Sequence, residues 1–453
     1  IYYIPPQNSN VSWFRDIQGE NSLSGRAVSQ FCEDDSGNMW IATEDEGLNY
    51  FNVSTQRFTH YKTDSPSAQR ISHNNLHALM LDGKRLWIGT FSKGIDIMDT
   101  ETGRVTGHYR SKPNDPGSLP DNHVYSIFRT SKGEVYVGTM RGFCRWVPAD
   151  DTFHRFDEFD GIFVYDMIED ADGVLWIATK DDGVWRMKDD VFRAYLHDAA
   201  DSSSIGSNHI IRSYIDTKGN LWFATEGCGI CRYDYDSDSF VNYGHTKGLY
   251  HHIVYGILDN GDGNLWLSTT YGIVRYNPDT FETCIYTQED GMQSNQFNYR
   301  SSMKSSDGKF WFGGINGFNC FNPESFRTTD VSPLTVIPEI VLHKKNSEIE
   351  YLKPSGKITI GPDIASFDIS FECLSYLSPS KNRYAYKVEK LHDEWIYTNK
   401  PSVSFVDLAA GQYRIMVKSS NTDSVWNGEP ACVDFVIRNP LWKTPVMKIF
   451  YIL

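Results

Sequence analysis

The residue types able to do chemistry gather in short polar segments between apolar runs. One set holds Glu44, Asp45 and Glu46, Phe91 and Lys93, Met140 and Arg141, Lys180 to Asp182, Glu226, Tyr271 and Asn316. A second holds Arg26, His73, Asn74, Asn122, His123, Asn208, His209, His251, His252, Asn295, Asn298 and Arg300. Aromatic faces stack on sugar rings, and Asn, Arg and His bond hydroxyls or carboxylates. The combination suits an oligosaccharide. Lys93, Arg141, His209, His252, Tyr271, Asn295, Asn298 and Arg300 are the candidate ligand-binding residues. Asn122 and Asn208 recur at equivalent starts and read as structural, because Asn in such turns caps the backbone.

Other chemistries find less support. Asp181-Asp182 and Glu44 with Glu46 are the dense carboxylates, and paired acids can serve as acid and base. On a chain of net charge -15, acidic segments of this kind read as solvated loops. There is no nucleophile elbow, H-E-x-x-H or phosphate loop. No catalytic residue is assigned. Asp259-Asn-Gly-Asp262-Gly lacks the distal Glu of a calcium loop and reads as a hairpin turn. Cys228-Gly-Ile-Cys231 has no second C-x-x-C for zinc and no βαβ context for redox work. Neither metal nor cofactor is expected.

These residues need elements to position them, and a repeat supplies them. Trp40, Trp87, Tyr136, Trp176, Trp222, Trp266 and Trp311 follow one another at spacings of 47, 49, 40, 46, 44 and 45 residues. Each sits between an Asp/Gly turn and a Gly-aliphatic pair, as in "GNMWIATEDEGLNYFN" and "GNLWFATEGCGICRYD". A period in this range with four short strands per unit predicts a β-propeller, here of seven blades. The polar segments then become the B–C and D–A loops of one face. Period-2 alternation sets each marker aromatic beside a small residue (Ala42, Gly89, Gly138, Ala178, Ala224, Ser268, Gly313), so that neighbouring blades can approach. The seventh unit lacks a good D strand. Residues 11–17, "VSWFRDI", supply one, closing the ring and removing its exposed edge.

The period stops near Val331. Alternating runs such as "ASFDISFECLSY" and "GQYRIMVKSSN" predict several strands in about 110 residues, an immunoglobulin-like β-sandwich. The fold class is all-β: an incoming linker at 1–10, a propeller at 11–328, a sandwich at 329–440, and a juxtamembrane segment at 441–453. The 453 residues carry 35 Gly, 18 Pro and 14% aromatics, which fits a turn-rich β protein. The net charge and the lack of any Lys/Arg block disfavour nucleic acid as a partner. Eight scattered cysteines form no disulfide framework. Ile1 opens in mid-pattern, as a fragment would.

The repeats resemble the two-component regulator propeller repeat, most specifically in "DGMQSNQFNYRSSMKSSDGKFWFGGINGFNCFNPESF". The segment with Tyr384-Ala-Tyr386, Leu391-His-Asp-Glu-Trp395, Gly411-Gln-Tyr413 and Asn439-Pro-Leu-Trp442-Lys-Thr444 resembles the Y_Y_Y domain. Together they look like the periplasmic sensor of hybrid two-component systems of Bacteroidetes-type bacteria. The resemblance implies an upstream propeller of the same chain, an inner-membrane helix after the sandwich, a histidine kinase, a receiver and a DNA-binding domain. It implies a homodimer that senses oligosaccharides from complex glycans and induces the genes that degrade them. The rivals are a propeller-type polysaccharide lyase or hydrolase and a protein-interaction scaffold. On the sensor reading, Met447–Leu453, apolar except Lys448, begins the transmembrane helix. The run is far short of the roughly 20 residues a span requires.

Overall fold

The computed structural model describes residues 11–250, 252–326, 332–354, 356–375, 379–392, 394–421 and 425–440. The linker at 1–10, His251 and the segment at 441–453 lie outside the described residues. One compact unit ends at Phe326 and another begins at Arg327.

The first unit is a seven-bladed propeller of four-stranded antiparallel sheets. Blade three is typical, with strands A (Val124–Arg129), B (Val135–Thr139), C (Gly142–Val147) and D (Thr152–Arg155). Most A–B turns rest on an Asp and a Gly; blade three uses Thr130 and Gly133. In blade four, Asp170 accepts from the backbone of Asp172 and Val174, and Gly173 takes φ 70°, which glycine tolerates without a Cβ clash. The marker aromatics belong to the core. Trp176 and Trp222 donate their indole N–H to Asp170 and Asp216 in their own turns, each at 2.8 Å. The small residues beside them are required by the next blade. A Cβ on Gly89 would lie 2.8 Å from Val124, and one on Gly138 would lie 2.6 Å from Val164. Asp259, in the stretch read as a hairpin turn, accepts from the Tyr214 and Thr217 hydroxyls of blade five at 2.8 and 2.6 Å.

The ring closes in blade seven. Val11–Phe14 pairs antiparallel with Gly317–Phe321, Val11 opposite Phe321 and Phe14 opposite Phe318. Phe14 stacks on Phe318 at 4.8 Å and meets Phe51 of blade one at 5.0 Å. First and last blades thus share one aromatic cluster, and each such pair adds about 1 kcal/mol beyond its area burial.

The second unit is a β-sandwich. One sheet orders Ile349–Leu352, Ile340–Lys344, Ile364–Ser370 and Ser402–Val406. The other orders Lys357–Ile360, Ala431–Ile437, Gly411–Ser420, Arg383–Val388 and Ile396–Thr398, and its first pair is parallel. Ile369, Phe371, Val388, Ile415, Val417 and Phe435 fill the core between them. Tyr384 is buried there, Tyr386 packs against it, and Tyr413 donates its hydroxyl to the Ala409 carbonyl at 2.9 Å.

Candidate functional site: the mouth of the propeller channel

The candidate site lies where the A strands begin, on the face formed by the B–C and D–A loops. In blades one to six every A strand carries a β-bulge at its second residue. Val124 pairs with Thr139, Ser126 with Gly138, and Tyr125 has no partner. The same skip occurs at His77, Tyr165 and Tyr255. A bulge re-aims the extra side chain and leaves its backbone groups outside the ladder. The re-aimed side chains build an aromatic floor. His77 stacks on Tyr125 at 4.4 Å, Tyr125 meets Phe163 at 4.5 Å, and Phe163 meets Tyr165 at 4.5 Å. Tyr165 stacks on His209 at 5.6 Å and on Tyr299 at 6.3 Å, and Tyr299 meets Tyr255 at 4.6 Å.

The carbonyls freed by the bulges find one shared donor. In blade seven, four residues (298–301) bulge between the pairs Phe297–Gly314 and Ser302–Phe312. There Arg300 adopts φ 56° and is 4% exposed. Its Nη1 donates to the Tyr165 carbonyl, and its Nη2 donates to the carbonyls of His77, at 2.9 Å, and Tyr125. One guanidinium therefore pins the backbone of three floor residues from three blades. Sequence reading places Asn298 and Arg300 on a D–A loop; both instead lie inside the strand Phe297–Lys304. The reason is the long bulge, which turns loop-like residues into the channel. Asn298 is buried and donates to the Val28 carbonyl at 3.1 Å and to Glu44 at 3.0 Å.

The B–C turns form the rim. A buried Thr at the end of strand B donates to the carbonyl of the turn glycine, as Thr90 does to Gly94 at 2.8 Å and Thr179 to Gly183 at 2.7 Å. The next residue donates its N–H to the D–A loop of its own blade: Glu44 to Ala27, Phe91 to Asn75, Met140 to His123, Lys180 to Phe163 and Glu226 to His209. These equivalent positions surround the floor with two carboxylates, a lysine and exposed apolar side chains. Burial raises the Glu44 pKa, while the hydrogen bond from Asn298 pulls the other way. The His77 pKa is pushed down to about 3 by burial, with the Arg300 charge adding to it, so the ring stays neutral. Burial also lowers the His209 pKa, against the pull of Glu226, whose Oε2 lies 3.4 Å from Nδ1. Lys180 sits 5.8 Å over the Phe163 ring.

The other sequence candidates divide. Lys93, Arg141 and Tyr271 are exposed on B–C turns, with backbone N–H groups bonded to Thr90, Thr139 and Thr269. His252 is exposed, and its carbonyl accepts from Gly227 at 2.7 Å and Gly229 at 3.1 Å. Asn295 behaves as Asn122 and Asn208 do. Each accepts a loop N–H on its side chain and a preceding blade's glycine N–H on its carbonyl. These three are staples between blades. Of the dense acids, Glu46 is ion-paired with Lys62 at 2.6 Å and Glu44 accepts from Asn298. Among the described residues no group of His, Cys, Asp and Glu has the arrangement of a metal site. Cys228 and Cys231 lie together against Gly206, with Cys231 on a strand. No helix among the described residues is long and apolar enough to cross a membrane. The floor aromatics were absent from the sequence candidates. Their signal was a His or Tyr after the first aliphatic of strand A, as in Leu76-His77, Val124-Tyr125, Val164-Tyr165 and Val254-Tyr255.

Comparison with known proteins agrees with this architecture. The two component regulator propeller model matches residues 22–45, 118–141 and 158–181, and the Y_Y_Y domain model matches 375–438. The histidine kinase P4 of Formosa agariphila is 25% identical over 96% of this chain and 33% of its own length. The extracellular domain of a putative hybrid two component system from B. thetaiotaomicron superposes with TM-score 0.81 at 23% identity, over 95% of this chain and 58% of that one. The chain thus spans about a third of the curated relative and under two thirds of the solved one. A streptogramin B lyase shares the propeller alone, with TM-score 0.52 at 13% identity over 70% of this chain and 99% of the lyase. The chain thus carries two component regulator propeller repeats in its first unit and a Y_Y_Y domain in its second.

Proposed function

We propose that this chain is the ligand-sensing extracytoplasmic region of a hybrid two-component sensor histidine kinase, held in the periplasm by a transmembrane helix beyond the sandwich. The propeller mouth takes an oligosaccharide released from a complex glycan. A homodimer of the full-length protein relays its arrival to the kinase and to transcription of glycan-degradation genes. The observation that carries the reading is the continuous floor of His77, Tyr125, Phe163, Tyr165, Tyr255 and Tyr299, rimmed by Glu44, Lys180 and Glu226. Stacking faces with a few polar groups are what a sugar needs. Signalling then follows only from a difference in affinity between two arrangements of the sensor. The similarity to a histidine kinase and to a two component extracellular domain supports the sensor over a lyase.

Titration calorimetry with a panel of oligosaccharides tests the reading. Saturable binding that Tyr125→Ala weakens, with the glycan recovered intact, is the expected result. Shortened glycan products would favour the lyase or hydrolase, and a panel without heat would favour a protein-interaction scaffold.

A further inference from the structure

Beneath the aromatic floor the channel holds a cavity of about 200 Å³. Arg212 and Arg300 approach the same oxygen of Asp166, at 3.2 and 4.0 Å. Both cations lean on this one carboxylate, with the Arg300 side chain 4% and the Arg212 side chain 23% exposed. Cations this far from water favour a further counter-charge or acceptor beside them. Asp166 has little left to offer, since its other oxygen accepts the Ser213 N–H at 2.8 Å. Glu44 accepts from Asn298, and against the effect of burial the Arg300 charge favours its ionised form.

The same cavity gathers donors. Ser126 and Ser213 line it at 5% and 3% exposure, and neither hydroxyl has a partner. The buried Arg212 Nε–H also lacks one. Hydroxyl hydrogens rotate to face whatever accepts them. The volume suffices for an ion and several waters at roughly 30 Å³ each. We infer that this cavity is a binding site for a small monovalent inorganic anion of halide size, held by Arg212, Arg300 and the hydroxyls of Ser126 and Ser213. Arg300 then has two duties, bonding the floor carbonyls and compensating the ion. The site shares Arg300 with the floor of the proposed sugar site, but ion binding requires no sugar.

Thermal unfolding in chloride and in gluconate at fixed ionic strength, with anomalous diffraction from bromide-grown crystals, tests the inference. A saturable rise of Tm with chloride is expected, because an ion that binds only the folded state stabilises it. A bromide peak within hydrogen-bond reach of the Ser126 or Ser213 hydroxyl is expected with it. Ser126→Ala/Ser213→Ala, a mild change for folding, should weaken the chloride midpoint by about tenfold. Identical Tm in both salts, or bromide found only outside the channel, would overturn the site and mean that water alone satisfies these donors.

Discussion

Two cations of this protein sit among aromatic rings, and their surroundings make them opposites. Arg300 lies inside the propeller, 4% exposed, with three of its N–H groups bonded to carbonyls of three blades. Lys418 lies on the sandwich strand Gly411–Ser420, its Nζ 4.5 Å from the Trp395 ring, 5.1 Å from Trp426 and 5.5 Å from Tyr397. Arg300 satisfies backbone groups that a bulge has freed, so it replaces part of a β ladder. Among the described residues, Lys418 lies over three rings and is half-buried. A cation beside aromatic rings therefore has no fixed worth: the unsatisfied groups around it decide.

The largest break in this comparison comes from Arg300→Leu. It leaves three part-buried carbonyls without their donor and removes one cation beside Asp166, and should cost about 3–5 kcal/mol. Chemical denaturation measures it, and a loss under about 1 kcal/mol would show that the hub is dispensable. Next is pH. Because the His77 pKa falls from its ordinary 6.5 to about 3, the unfolded chain binds the proton more tightly within that window. Stability should fall as pH drops from 6.5 towards 3, by at most about 1.4 kcal/mol per unit from this group. His77→Phe should flatten that slope in an acid titration of Tm. Tyr165→Ala comes third. It removes a floor ring but keeps the carbonyl that Arg300 needs, so sugar affinity should drop roughly 5- to 30-fold, in line with about 1–2 kcal/mol per aromatic contact. Its denaturation midpoint should move far less than that of Arg300→Leu. Smallest is Lys418→Ala, expected at about 1 kcal/mol or below for a partly exposed cation–π site. A larger loss would mean that the sandwich cluster also carries hidden backbone bonds.

The fold was legible because its signals repeat. Trp40, Trp87, Trp176, Trp222, Trp266 and Trp311 announce strand B, and the small residue two places on announces a close neighbour. The site was legible only in outline. The rim could be read, since loops attract polar residues and turn glycines mark where they fold. The floor could not, because a bulge leaves no period in the sequence; Tyr125 looks like any strand residue until its pairing is seen to skip. Arg300 was misplaced for the same reason, since "QFNYRSS" reads as a polar lead-in while four of its residues bulge into the channel. The staple role of Asn295 is invisible in sequence because it depends on the glycine of another blade.

The closing strand has a mechanical consequence. Val11 stands opposite Phe321 in an antiparallel pair, so the chain before Val11 and the chain after Phe321 leave from the same end of that pair. Tension between those two segments peels the strands apart one hydrogen bond at a time, instead of loading all of them in shear. The seam packed with Phe14, Phe51 and Phe318 should therefore yield to pulling at the end where both connections attach before it yields to heat.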